Sequence, residues 1–176
     1  ARPIVIDNGS DDGSRQWVAQ AHPEIEVVAL DRNYGFGEGY NRGLEGRQEE
    51  VFVLLNNDMK VSPDFLQRLL EAFQLDPHAT AVASQVFFLD PNRRREETGF
   101  TSMWLARGCF NYAHLPVPQT AEPVVPIAWV GGGACAIPRE VFRTLGGFDS
   151  LFYPAYAEDA ALSYAIWKRG GRCVLA

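Results

Sequence analysis

Five consecutive apolar residues, Val51-Phe52-Val53-Leu54-Leu55, run directly into Asn56-Asn57-Asp58. A strand with one wet face alternates apolar and polar positions. A strand that is apolar at every position is covered on both faces, as in a parallel sheet held between helices. The next apolar residues, Phe65, Leu66, Leu69, Leu70 and Phe73, recur at helical spacing. Ser62-Pro63 ahead of them suits a helix start, with serine as cap and proline in the first turn. Pro3 to Ile6, Glu26 to Leu30, Ala81 to Leu89, Ile127 to Val130, Ala134 to Ile137 and Cys173 to Leu175 read as further strands. Helices are expected from Ser14, from Phe36 to Gly46, from Arg139 to Leu145 and from Asp159 to Lys168. Strands alternating with helices predict an α/β domain with a mainly parallel sheet. In such sheets ligands sit beyond the carboxyl ends of the strands, and Asp7 and Asn56-Asn57-Asp58 fall at such ends. The stretch from Asp90 to Pro126, rich in aromatics and prolines, reads as irregular.

The 176 residues fit one domain. An abrupt start beside one strand and an end inside another are expected of a piece of a longer chain. With 22 acidic residues against 16 basic ones the formal charge is -6, and no general attraction to nucleic acid is expected. The basic run Arg93-Arg94-Arg95 is followed by Glu96-Glu97. It reads as a solvated loop, or alternatively as a contact for a phosphorylated acceptor or an anionic membrane surface. Cys109, Cys135 and Cys173 form no C-x-x-C pair, so neither a disulfide framework nor a zinc site is expected and a reducing cytoplasm fits.

Several segments could carry chemistry. Asp58, just past the buried strand, could hold Mg²⁺ or Mn²⁺, hard ions that take oxygen ligands and share them with substrate phosphates. The same residues read equally well as an Asn- and Asp-rich turn. Asp7 opens a second acidic turn, Asp7 to Ser14, and could accept hydrogen bonds from a base or ribose. Gly35-Phe36-Gly37-Glu38-Gly39 has the wrong spacing for a dinucleotide loop, though its glycines would let a helix start approach a nucleotide. Gly131-Gly132-Gly133-Ala134 leaves room for a bulky ligand beside the backbone, or marks a bulge. Glu158-Asp159, at a helix start, could supply a general base or simply complement the helix dipole.

Taken in order, Val5-Ile6-Asp7-Asn8-Gly9-Ser10, Asn33 to Gly43, Leu54-Leu55-Asn56-Asn57-Asp58, Gly131 to Ala134, and Gly146-Gly147-Phe148-Asp149 followed by Glu158-Asp159 resemble the family-2 glycosyltransferases of GT-A fold. The likeness is greatest to the rhamnosyltransferase-type branch. It spans nearly the whole chain, making 1–176 a catalytic domain with a Rossmann-like nucleotide-binding half. The resemblance implies a hexosyltransferase-type enzyme with Asp159 as catalytic base and Glu158 beside it. Asp7 would contact the nucleotide base, Asn33, Gly35 and Asn41 would line the nucleotide pocket, Asn57 would be a further substrate-binding residue, Gly132 and Gly133 would border donor sugar and acceptor, and Asp58 would bind the metal. Two departures are visible. Asn56 stands where the family's metal motif opens with an acid, and the strand and helix that normally precede the Asp7 strand are absent.

The implied reaction is inverting transfer of a sugar from a nucleotide-diphosphate donor to an acceptor hydroxyl, in cell-surface polysaccharide synthesis. A glycan or lipid-linked acceptor and a location in the cytoplasm, either free or against the inner face of the membrane, go with it. Two rivals remain at this level. One is a non-catalytic nucleotide-sugar or glycan binding module of the same fold. The other is a nucleotidyltransferase, which would carry a glycine-rich loop with Arg and Lys after its first strand.

Overall fold

The computed structural model describes residues 1–89, 96–120 and 122–176. The chain forms two compact units, one of Ala1–Gln48 with Gly146–Glu158 and one of Glu49–Leu145 with Asp159–Ala176.

The first unit begins as a β-α-β turn of the chain. Strand β1 (Ile4–Asp7), helix α1 (Ser14–Ala21) and strand β2 (Glu26–Ala29) are followed by helix α2 (Phe36–Gly43). The two strands pair in parallel, Ile4 opposite Glu26 and Asp7 opposite Ala29. Helix α2 tolerates its glycines because they are its packing face: Gly37, Gly39 and Gly43 are all buried. A side chain at Gly43 would collide with Ile6 of β1. The returning segment Gly146–Glu158 brings Phe148 against α2, where it meets Phe36 and Tyr40 at 6.1 Å between ring centres.

The second unit holds the expected buried strand as β3 (Val51–Leu55), then helix α3 (Phe65–Leu75) and strand β4 (Ala79–Ala83). Short strands β5 (Val86–Phe87) and β6 (Glu96–Thr98) pair with each other. They are followed by β7 (Phe100–Ala106), β8 (Cys109–Leu115), β9 (Val125–Pro126) and β10 (Ala134–Pro138). Helices α4 (Arg139–Thr144) and α5 (Glu158–Lys168) and strand β11 (Arg172–Leu175) complete it. The central sheet has the order β3-β10-β4-β11-β9. Leu69 and Ala72 of α3 pack on Val82, Ala136 and Val174 from three of its strands.

The α/β architecture is as expected, though α3 starts at Phe65 with Asp64 and not Ser62 in the cap position, and three further local differences stand out. The sheet is mixed: β10 runs antiparallel to both β3 and β4, while β4 and β11 are parallel. The segment Ile127 to Val130 is not a strand, because other groups take its backbone. Thr101 Oγ1 bonds both the N–H and the carbonyl of Trp129, Ser163 accepts from Val130 N–H, and Trp167 donates to the carbonyls of Ile127 and Ala128. The stretch expected to be irregular contains a regular hairpin, β7–β8, paired from Phe100–Leu115 to Ala106–Cys109. Its turn is Arg107-Gly108, both with positive φ (52° and 77°). Such a two-residue turn matches the twist of the flanking strands.

Candidate functional site

In the second unit, the chemistry-bearing residues meet through the glycine run. The Gly133 carbonyl accepts from Asn56 N–H at 2.8 Å, holding the run to the end of β3. On its other side, Gly132 N–H donates to Asp159 Oδ2 at 3.1 Å. The second oxygen of Asp159 accepts from Ala160 N–H at 2.7 Å. A carboxylate has roughly four lone-pair positions, so this grip orients Asp159 and leaves acceptor capacity for a further donor. Gly133 leaves little room for a larger residue: a Cβ there would lie 2.9 Å from the Asn56 side-chain amide, which would have to shift to admit it.

Ser163, one turn along α5, reinforces the bridge. Its fully buried hydroxyl donates to the Asp159 carbonyl at 2.8 Å and accepts from Val130 N–H at 3.1 Å. Nothing in the sequence singled it out, since a serine inside a helix carries no functional signal of its own.

Asn57 and Asp58 are exposed at the mouth of β3. Among the described residues, no three His, Cys, Asp or Glu side chains cluster to hold a metal ion. A lone exposed carboxylate is nevertheless a fitting donor for Mg²⁺ or Mn²⁺ completed by water and by phosphate oxygens of a bound substrate. Cys135 and Cys173 lie in the core of this unit as free thiols. Burial pushes both up, Cys173 to about 12, so neither is a nucleophile.

In the first unit, Asp7 ends β1 as a buried carboxylate, its Oδ1 3.4 Å from Ser10 N–H. Beside it, Asn8 ties the strand end to the loop Asn33-Tyr34-Gly35. Its Nδ2 donates to the Gly35 carbonyl at 2.8 Å and to Asn33 Oδ1 at 3.2 Å, while its Oδ1 accepts from Tyr34 N–H at 2.9 Å. Asn33 Oδ1 also accepts from Gly35 N–H at 2.8 Å, closing the turn. The guanidinium groups of Arg32 and Arg42 lie over the Tyr34 ring, 4.8 and 4.0 Å from its centre. Gly35 has φ of 76°, and a side chain there would strike the Pro154 carbonyl. Asn8 escaped the sequence reading because an asparagine after an aspartate looks like ordinary turn chemistry.

Two expected site residues have other engagements. Asn41 donates to the Phe148 carbonyl at 2.8 Å and accepts from Phe148 N–H at 2.9 Å, so its amide fastens α2 to the returning segment. Glu158 is buried in a small cleft with Tyr34, Gly37, Phe152 and Pro154. It therefore parts from Asp159, as neighbours at a helix start do when successive side chains turn by about 100°. The run Arg93-Arg94-Arg95 lies outside the described residues. No helix among the described residues is long and apolar enough to cross a membrane.

Comparison with known proteins sets this geometry in context. The model of the family "Glycosyl transferase family 2" matches residues 2–145. An N-acetylglucosaminyl-diphospho-decaprenol L-rhamnosyltransferase of Mycobacterium tuberculosis is 26% identical over 195 residues, covering 96% of this chain and 62% of the relative. N-acetylgalactosaminyltransferase 6 of Drosophila melanogaster is 29% identical over 186 residues, covering 96% of this chain and 27% of the relative. The chain thus spans less than two thirds of the length of either. Among solved structures, GalNAc-T7 with UDP, GalNAc and Mn²⁺ matches 100% of this chain and 36% of its own with a TM-score of 0.75 at 17% identity. The mannosyltransferase PcManGT from Pyrobaculum calidifontis, in complex with GDP-Man and Mn²⁺, matches 99% of this chain and 45% of its own, with a TM-score of 0.66 at 21% identity.

Proposed function

Because the chain belongs to glycosyl transferase family 2 and has the GT-A fold, we propose that it transfers a sugar, with inversion, from a nucleotide-diphosphate donor to an acceptor hydroxyl. One observation carries the reading: the glycine run joins the end of β3, which bears Asp58, to the fixed carboxylate of Asp159. In this reading Asp159 takes the proton from the acceptor hydroxyl as general base. The acceptor oxygen attacks the anomeric carbon from the face opposite the diphosphate. Gly132 and Gly133 leave the space beside which both substrates lie. Asp58, with Asn57 next to it, would hold a divalent ion, which would supply positive charge to offset the negative charge of the leaving diphosphate. Asp7 and the Asn33–Gly35 loop receive the nucleoside, Asn41 fastens α2 to the returning segment, and Glu158 stands beside the general base.

The acceptor is read as a lipid-linked glycan precursor at the cytoplasmic face of a membrane. The mycobacterial relative's own name, with its diphospho-decaprenol acceptor, supports this, as do three free cysteines.

Asp159→Asn tests the base. It keeps an oxygen for the Gly132 N–H, gives up the bond from Ala160 N–H, and removes the proton acceptor. Turnover should fall by about 10²–10⁴-fold with donor affinity nearly unchanged; retained turnover would reject Asp159 as base. Calorimetric titration of UDP and dTDP with and without Mn²⁺ tests the metal. Mn²⁺ should tighten binding to the parent protein and lose that effect in Asp58→Ala. Equal affinities in all cases would remove Asp58 from the site.

A further inference from the structure

The hairpin β7–β8 presents an apolar tip to solvent. Leu105 and Phe110 face each other across the two strands next to the turn, yet they remain 66% and 62% exposed. Tyr112 continues the same face at 73% exposure, and Trp104 lies half exposed on the other. A cross-strand apolar pair stabilises a sheet when a core covers it; here only one edge is covered. The base of the face is anchored: Thr101 is bonded to Trp129, and the rings of Tyr112 and His114 stand edge-on to Trp129 at 6.1 and 5.2 Å. Farther out, Phe110 meets Tyr164 of α5 at 6.1 Å, over whose ring Lys168 is placed.

Charge narrows what this surface meets. The chain carries 22 acidic residues, but residues 100–115 include none. Their charged groups are Arg107, at the very turn, and the titratable His114. An element of Trp, Tyr, Phe and Leu tipped by a cation, with Lys168 nearby, has the composition of the bilayer interface. There amphipathic rings sit among headgroups and basic side chains meet anionic lipid.

We propose that the tip of this hairpin, Trp104, Leu105, Arg107 and Phe110, seats in the interface of an anionic bilayer. The inference deepens the glycosyl-transfer reading and rests on it for the acceptor's being lipid-borne. The hairpin is built onto Trp129, which leads into the glycine run, and onto α5, which carries Asp159. A bilayer meeting this tip would lie beside α5, whose first turn carries Asp159.

The test is vesicle co-sedimentation of the full-length protein, which needs no turnover and therefore separates this inference from the function itself. Vesicles of phosphatidylcholine with and without phosphatidylglycerol serve as the probes. The parent protein should bind the anionic vesicles. Leu105→Glu with Phe110→Glu should lower that binding by at least about tenfold; because facing carboxylates also loosen the strand pair, the uncharged Leu105→Ser with Phe110→Ser should show a loss of similar size. Arg107→Glu should weaken binding to the anionic vesicles alone, by about fivefold per unit of charge. Leu75→Glu, at an exposed apolar site on α3, serves as control and should change nothing. Absence of vesicle binding by the parent protein overturns the proposal, as does binding indifferent to the tip substitutions. A dimer in vesicle-free solution that the Leu105→Glu, Phe110→Glu variant splits also overturns it, because the tip would then be covered by a second copy.

Discussion

At the scale of single residues, the carboxylates sit where strand ends put them, and the amides decide how rigidly the surrounding loops are held. Asp7 and Asp58 were legible because a run of apolar residues closing on an acid marks where a strand leaves the sheet. The hold of Asn8 on Asn33, Tyr34 and Gly35 was not, because its partners lie 25 to 27 residues away and no spacing rule connects them. Asn8→Asp would keep the oxygen that accepts from Tyr34 N–H. It would also set a carboxylate oxygen against Asn33 Oδ1 and the Gly35 carbonyl. With two donated bonds lost, at about 0.5–1.5 kcal/mol each, nucleotide affinity should fall about tenfold while turnover at saturating donor stays near the parent value. Titration of the nucleotide beside steady-state kinetics reads both quantities; an unchanged affinity would mean that the loop holds its shape without Asn8.

At the scale of elements, β3 and α3 were readable because their patterns are extreme. One is apolar throughout and the other is apolar on a single helical face. The β7–β8 hairpin was not, since Arg107-Gly108 lacks the Asn-Gly or Asp-Gly signal and the strands carry mixed residues on both faces. The antiparallel direction of β10 was equally hidden, because strand direction depends on the path of the intervening chain and not on the strand's own residues. Ion pairs between elements were also out of reach of local reading. Asp76, just past α3, accepts from Arg172 of β11 at 2.9 Å and from His78 N–H at 2.9 Å. Burial alone would raise its carboxyl, but these hydrogen bonds and the Arg172 charge hold it below the ordinary carboxylate value. A depressed folded value stabilises the fold above the unfolded carboxylate value, about 3.9, and that contribution disappears as pH falls through the lower folded value. Asp76→Asn should therefore lower the melting temperature at neutral pH, with the gap from the parent closing under acid conditions. A gap that stays constant down to pH 2 would show that Asp76 acts without its charge.

At the scale of the whole molecule, the three thiols report on the integrity of the second unit. Cys109 is exposed on the hairpin, while Cys135 and Cys173 are fully buried in β10 and β11. Because the thiolate is the reactive form, an aromatic disulfide reagent at pH 8 should titrate one thiol quickly. The other two should appear only as fast as the unit opens. Three thiols reacting together in the native protein would contradict the packing of that sheet. The first unit carries a different consequence. Its helix α2 is fastened by Asn41 to Phe148, 107 residues downstream, and Phe36 N–H is bonded to the Pro154 carbonyl at 2.8 Å. A ribosome adding about 5–20 residues per second thus releases the opening β-α-β segment several seconds before the polypeptide that completes it. That nascent segment must stay soluble as an unfinished intermediate for the interval, with the aromatic rings of α2 still waiting for Phe148.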